Sequence, residues 1–334
     1  MTSTNNSRCA TEIQVWHLSS WNYRLSATCG LTAIFATFII SVISMRLLYK
    51  KSMFQSSTKI ILLFNILYAN LHQIIYAFLS INMMYKGIFL VDEPCEWLIS
   101  ESDCVPLTVL LYTGIGGMIY SQTGVLIERA FATFHPNYTT SLSRYVGTFI
   151  STLVLILSTF TYRIILWDDP LDGAVLTCFI PAVHSAHRAN WFLFTAVLLT
   201  FFNLITSMAV MYYNKRLEYR IRYKVRERFK KREAIDSTHT ICIVSMSQFL
   251  TMLSYSLGVL LLRCNQPYML LSTFYGLIAW VYTVPYSALL LPLILIFRIH
   301  ASKASRTQKI RDITSTKLSQ TEHINHITRM WNSK

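Results

Sequence analysis

The chain has 334 residues, of which 53% are hydrophobic and only 14% charged, and its formal net charge is +14. Ordinary soluble domains carry about 25% charged residues, so this composition excludes most soluble classes. The positive residues sit in the gaps between apolar stretches rather than on one solvated face, which excludes a nucleic-acid binder. Seven stretches are each long enough to cross ~30 Å of hydrocarbon as a helix, which takes about 20 residues. They span residues 25–48, 60–85, 108–131, 146–166, 191–213, 237–262 and 270–297. The predicted fold is an all-α membrane protein, a seven-transmembrane helix bundle.

Residues 1–24 are mostly polar and lack an apolar core followed by a small-residue cleavage site. They are read as an outer amino-terminal segment, with the first span acting as its own insertion signal. Residues 25–297 form the membrane domain and residues 298–334 a cytosolic tail. Of the 30 Lys and Arg residues, 22 fall in the loops and tail after the first, third, fifth and seventh spans. Five fall in the amino-terminal segment and the other loops, and Arg46, Arg129 and Arg163 lie near span ends. Positive residues stay with the cytosol, so the amino end is predicted outside and the tail inside. Asn5-Asn6-Ser7 is a glycosylation sequon on the predicted outer side. Asn137-Tyr138-Thr139 lies on the cytosolic side and is expected to stay unmodified.

The outer loops are acidic. Asp92, Glu93, Glu96, Glu101 and Asp103 separate the second and third spans, and Asp168, Asp169 and Asp172 separate the fourth and fifth. They are read as solvated loop residues. The inner loops are short and basic, and the third runs from Asn214 to Asp236. It carries Lys215, Arg216, Arg220, Arg222, Lys224, Arg226, Arg228, Lys230, Lys231 and Arg232. No Gly or Pro occurs between Pro181 and Gly258, so nothing stops the fifth helix at the membrane surface. Leu217, Ile221, Val225 and Phe229 recur every four residues, as one helical face does. The segment is predicted helical, with Asp236-Ser237-Thr238 as N-cap of the sixth helix. The tail begins with mixed basic and apolar residues, read as a short interfacial helix, and becomes polar and flexible beyond Thr314.

Cys29 and Cys242 fall inside spans and read as packing residues. Cys9, Cys95, Cys104, Cys178 and Cys264 fall on the predicted outer side, where disulfides persist. A Cys104–Cys178 bond would staple the outer loop over the bundle mouth, and Cys9–Cys95 is a second candidate pair. The connectivity is not fixed by sequence alone, and one outer cysteine is left over. Glu128-Arg129 ends the third span at the cytosolic face, 25 residues after Cys104. An Arg there reads either as an interface anchor or, at this spacing from an outer staple, as part of a conformational switch. Asn65, Asn70, His72, Gln73, Gln122, Asn203 and Gln248 lie within spans and read as interhelical hydrogen-bonding groups. Gly114, Gly116 and Gly117 are expected to admit close helix approach, and Pro285 and Pro292 to kink the seventh helix. Tyr112, Tyr255, Tyr275, Trp280 and Tyr282 are the candidate lining of a ligand pocket in the outer half.

Enzymatic arrangements do not emerge. The His184/His187 and His323/His326 pairs lack the ligand set of a zinc site, there is no Gly-rich phosphate loop, and no cofactor or metal is expected. Asp and Glu are absent from six of the seven spans, whereas a proton-coupled pump places ionisable groups deeper.

Seven segments carry a resemblance to a known family. They are Cys9-Ala10-Thr11-Glu12; Leu67-Tyr68-Ala69-Asn70-Leu71-His72-Gln73; Glu101-Ser102-Asp103-Cys104-Val105-Pro106; and Ile127-Glu128-Arg129-Ala130-Phe131-Ala132-Thr133-Phe134. The others are Trp167-Asp168-Asp169-Pro170-Leu171; Arg228-Phe229-Lys230-Lys231-Arg232-Glu233; and Tyr282-Thr283-Val284-Pro285-Tyr286. With them, roughly residues 9–330 resemble the nematode serpentine receptors of class alpha, seven-helix chemosensory receptors. The resemblance implies a receptor in the plasma membrane of sensory cells that binds an external chemical ligand and signals through a heterotrimeric G protein. The chain departs from rhodopsin-like receptors. It has no Asp in the second span, no Pro in the sixth, no Asn-Pro-x-x-Tyr in the seventh, and Ala130 rather than an aromatic residue directly after Glu128-Arg129.

On this reading Glu128 and Arg129 restrain the inactive state, and the basic inner helix with the loop around Pro136 forms the G-protein face. The same basic residues suit anionic inner-leaflet lipid, at ~1 kcal/mol per charge near the surface. The rival classes are a ligand-gated cation channel of the odorant-receptor kind, with its amino end inside, and a transporter.

Overall fold

The computed structural model describes residues 9–51, 54–135, 138–179, 184–220 and 225–332. Its helices are α1 (Glu12–Ser19), α2 (Trp21–Lys51), α3 (Ser56–Phe89), α4 (Glu101–Phe134), α5 (Thr140–Ile165), α6 (Ala186–Arg220), α7 (Val225–Asn265), α8 (Leu271–Val281) and α9 (Val284–Asn332). Seven helical segments are long and apolar enough to cross a membrane: α2 to α7, and the run Thr273–Asp312 across α8 and α9. In hydrocarbon every backbone polar group must be paired within its own segment, which helices satisfy and open loops do not. The protein is a multi-pass, seven-helix membrane protein.

Helix α4 is the interior strut. In its most apolar stretch 67% of residues are buried, against 22–33% in α2, α5, α6 and α7, which turn the remainder toward lipid. Phe35, Phe149 and Phe297 are among the large apolar side chains left on that outer face. The main core joins Ile61, Leu62 and Ile66 of α3, Ile115, Met118 and Ile119 of α4, Val244 and Met252 of α7, and Ala288, Leu291 and Leu295 of α9. Helices α3 and α4 approach closely because Gly114 and Gly117 have no side chains. A methyl at Gly114 would lie 2.8 Å from His72 Cβ, and one at Gly117 would enter the Tyr68 ring.

Several boundaries differ from those read in the sequence. The amino-terminal segment is not simply polar chain. Thr11 and Gln14 form a reciprocal capping box that starts α1, and the helix buries His17 and Leu18. Asp236 does not cap the sixth helix. Helix α7 begins eleven residues earlier, at Val225, and runs unbroken through Asp236-Ser237-Thr238 because no Gly or Pro interrupts it. The basic segment is therefore shared between the end of α6 and the start of α7, with residues 221–224 outside the described part.

The tail is not a short helix followed by flexible chain. Helix α9 continues to Asn332, since no Gly or Pro follows Pro292. The seventh span is interrupted at Tyr282-Thr283, just before Pro285, while Pro292 is accommodated inside α9. Glu101 is not a solvated loop residue: it is buried at the start of α4, where its Oε2 accepts the Gly173 N–H at 3.2 Å.

Candidate functional site

One end of the bundle is closed by a lid. Cys9 is paired with Cys95 and Cys104 with Cys178. Cys29, Cys242 and Cys264 remain free. A two-stranded antiparallel ribbon, β1 (Ile99–Ser100) against β2 (Ala174–Val175), brings the two long loops together. Trp97 is fully buried beneath α1 with Leu18, Met83 and Leu176, and its indole N–H donates to the Leu90 carbonyl at 2.7 Å. The buried Lys86 Nζ donates to the Trp97 carbonyl at 2.9 Å. Burial depresses the His17 imidazole to about 4, so it is neutral at physiological pH. Its ring lies against Tyr23 and Tyr275, with centroids 5.4 and 5.6 Å away.

Beneath the lid the Cys178 loop sends Phe179 toward a ring cluster. Tyr282 sits at its centre, with ring centroids 4.7 Å from Tyr76, 5.3 Å from Tyr255 and 5.8 Å from Phe179. The Tyr282 hydroxyl lies 2.8 Å from His72 Nε2. Gln73 Nε2 donates to the Pro285 carbonyl at 2.9 Å, beside the break between α8 and α9. Of the five aromatic residues read as pocket lining, the structure brings Tyr255 and Tyr282 into contact. Tyr112 packs against Phe192, at 5.9 Å, and its phenol also interacts with those of Tyr255 and Tyr282. Tyr275 faces His17 of the lid, and the Trp280 indole N–H donates to Asn22 of α2 at 2.9 Å. Sequence reading missed Tyr76, His72 and Phe179 as members of this cluster. The position of Phe179 beside Cys178 was the available signal for one of them.

At the opposite end of α4 lies a buried charge cluster. Cys104 and Arg129 are 25 residues apart on this helix, a rise of roughly 37 Å at 1.5 Å per residue. Glu128 is fully buried and Arg129 only 3% exposed. The guanidinium grips the carboxylate with two hydrogen bonds, Nε to Oε2 and Nη2 to Oε1, both 2.7 Å. Such paired donors are the strong, orientation-specific form of this contact. Glu128 also accepts hydrogen bonds from Ser57, from Thr58 at 2.8 Å, and from the Tyr138 hydroxyl at 2.9 Å. Burial and the adjoining Glu128 carboxylate raise the Tyr138 phenol above its usual range, keeping it a proton donor.

Ser143 of α5 closes the arrangement by donating to Ser57 Oγ at 2.8 Å. Arg129 reaches outward from the pair to Gln55, which precedes α3, at 2.8 Å, and to Ser237 of α7 at 3.5 Å. The cluster thus joins α3, α4, the start of α5 and α7, and the contact to α7 is the longest of the set. A second tie holds α7 on its other side, where Arg298 of α9 lies 2.6 Å from His239 Nδ1.

Sequence reading found the pair but not its partners. In the sequence Ser57, Thr58 and Ser143 look like ordinary cap residues, and Tyr138 stands out only as the middle of a sequon. Ser237, read as a cap, serves Arg129 instead. Of the basic-helix residues, Lys215 and Arg216 are exposed on α6, and Arg216 lies over the Tyr212 ring at 5.3 Å. Arg220 ends α6, and Arg226, Arg228, Lys230, Lys231 and Arg232 fall in the first turns of α7. Arg222, Lys224, Pro136 and Asn5 lie outside the described residues. Among the described residues no group of three or more His, Cys, Asp or Glu side chains is placed to hold a metal ion.

The model of the serpentine type seven-transmembrane chemoreceptor family Sra matches residues 4–331. Serpentine receptor class alpha-1 of Caenorhabditis elegans is 65% identical over 327 residues, 98% of this chain and 99% of that protein. Serpentine receptors class alpha-6 and alpha-7 of the same organism are 46% and 42% identical, over 98% and 97% of this chain and 99% and 98% of their own lengths.

Proposed function

The chain belongs to the serpentine class alpha (Sra) family of seven-helix chemoreceptors, and from this premise we propose that it is a G-protein-coupled receptor for an external chemical ligand. The Sra family is a receptor family, not an enzyme family. The observation that carries the reading is the placement of two unlike assemblies on one buried helix: the Cys104–Cys178 disulfide at one end of α4 and the buried Glu128–Arg129 pair at the other.

In this reading the disulfide end faces outside, as the charge asymmetry of the loops requires, and the protein resides in the plasma membrane of sensory neurons. The ligand docks beneath the lid, beside Tyr255 and Tyr282. Glu128 and Arg129 restrain the inactive arrangement by tying α4 to α3, α5 and α7. The basic ends of α6 and α7, residues 215–232, with the loop around Pro136, form the surface for the G protein and lie against anionic inner-leaflet lipid. A ligand moves such an equilibrium only through unequal affinity for the two arrangements. Asn5 is the glycosylation site of the external segment.

The test needs no known ligand. Full-length receptor in nanodiscs is mixed with each class of heterotrimeric G protein, and guanine-nucleotide exchange is followed for the native chain and for Glu128→Gln. Neutralising the acid loosens the restraint, so the variant is expected to raise exchange in at least one class. A folded variant that leaves exchange at the receptor-free rate with every class would overturn the reading. A tag after Lys334 reachable by antibody on intact cells would overturn its orientation.

A further inference from the structure

Midway between the ring cluster and the Glu128 cluster, the interior is polar without being satisfied. Asn65 of α3, Gln122 of α4 and Gln248 of α7 are 1%, 5% and 3% exposed. Among the described residues, both amide atoms of Asn65, both of Gln248 and the Gln122 carbonyl oxygen have no hydrogen-bond partner. Buried amides without partners are rare, because each gives up its water for nothing. Three on three facing helices therefore call for a shared explanation.

Two voids of about 10 Å³ each lie among them. Asn65 and Gln122 line both, and Gln248, with Ser247 and Ser287, lines the second. A void of this size, roughly 10–15 Å³, holds one water, provided two to four polar groups surround it. Apolar voids of similar size stay dry, so the amides decide the outcome. Their unpaired atoms include donors (Asn65 Nδ2, Gln248 Nε2) and acceptors (Asn65 Oδ1, Gln122 Oε1, Gln248 Oε1), as a bridging water requires. All are neutral, and among the described residues no carboxylate lines either void, so water fits better than a cation.

We infer that Asn65, Gln122 and Gln248 form a binding site for two waters that bridge α3 and α4 to α7 at mid-membrane. The bridging waters give α7 a seam that exchanges partners without exposing bare amides to lipid. This site does not depend on which G protein or ligand the receptor uses, and its failure would leave that reading untouched.

The test is radiolytic labelling of the full-length receptor in nanodiscs made up in oxygen-18 water, with mass spectrometry of the methionines. Met118 lines the second void and is 2% exposed, whereas Met252 is 1% exposed and lines neither. Oxygen-18 should enter Met118 well above Met252, and the signal should be lost in Asn65→Leu/Gln122→Leu/Gln248→Leu. Should that triple variant not fold, Asn65→Leu alone removes one of the two amides common to both voids and should reduce the label. Met118 labelled no faster than Met252 in the native chain would overturn the site. So would a label that survives these substitutions in folded protein.

Discussion

At the lid end, two covalent bonds, a short ribbon and the buried Trp97 hold the long loops against α1 and α3. At the other end, Glu128 and Arg129 are held by their ion pair and by hydrogen bonds, one of them a 3.5 Å reach to α7. Disulfides do not exchange partners on the timescale of helix motion, whereas a network of hydroxyls and charges has more than one way to be satisfied. The difference teaches where the proposed receptor would open: the lid fixes one end of α4, and on that proposal movement belongs to the end where contacts are reversible. Buried ion pairs add little net stability, but removing one member leaves a bare charge, so in the proposed reading the pair restrains by making partial disruption unfavourable.

The largest expected effect comes from breaking the reversible end asymmetrically. Arg129→Ala leaves the Glu128 carboxylate buried with only hydroxyl donors, at a penalty of about 3–5 kcal/mol. Thermal unfolding in nanodiscs should show it, and Glu128→Gln/Arg129→Gln should recover much of the loss. If the double variant is no better than Arg129→Ala, the pair is not coupled as described.

Second in size is the covalent end. Cys104→Ser/Cys178→Ser releases a loop with a sequence separation of 74 residues and should lower stability by about 2–4 kcal/mol. Hydrogen exchange should rise around residues 97–104 and 173–179 while residues 125–130 keep their protection. Exchange rising equally at both ends would show that the ends are not independent.

The seven membrane helices were legible because hydrocarbon imposes a length and a composition that nothing else in the chain imitates. The lid was not. Helix α1 has only eight residues and owes its position to the Cys9 bond and to packing on Leu18, neither of which leaves a periodic pattern. Glu128 and Arg129 stood out because charge is rare inside spans. Their partners Ser57, Thr58 and Tyr138 did not, since hydroxyl residues near helix starts usually serve as caps. The break at Tyr282-Thr283 was half legible: Pro285 marked the neighbourhood, but Pro292 carries the same mark and is absorbed by α9. The unpaired state of Asn65, Gln122 and Gln248 depends on which faces meet, and only the packed bundle reveals it.

A smaller effect sharpens the charged end. Tyr138→Phe removes the single hydroxyl shared between Glu128 and Ser57, which should lower stability by about 1 kcal/mol and raise basal nucleotide exchange less than Glu128→Gln does. An unchanged melting temperature would place Tyr138 outside the restraint.

The smallest effect is confined to α1. The docked His17 has a pKa of about 4 against 6.5 for the free imidazole, so the undocked helix binds the extra proton between those values. Docking is then fully stable above pH 6.5 and weakens as pH falls toward 4. Amide exchange in residues 12–19 should quicken over that window and not in the Glu128 segment. A His17→Gln variant should flatten the response, and a pH-independent α1 in the native chain would remove His17 from the account.

The measurement that bears most directly on the two-ended picture uses pairs of spin labels in the full-length receptor. One pair, at Tyr145 of α5 and Ala234 of α7, reports the charged end. The other, at Trp16 of α1 and the exposed Tyr268, reports the lid. Glu128→Gln should lengthen or broaden the first distance distribution and leave the second unchanged. A variant that shifts the lid pair, or leaves the Tyr145–Ala234 distribution as it was, would contradict the claim that the bundle is fixed at its disulfides and opens at Glu128 and Arg129.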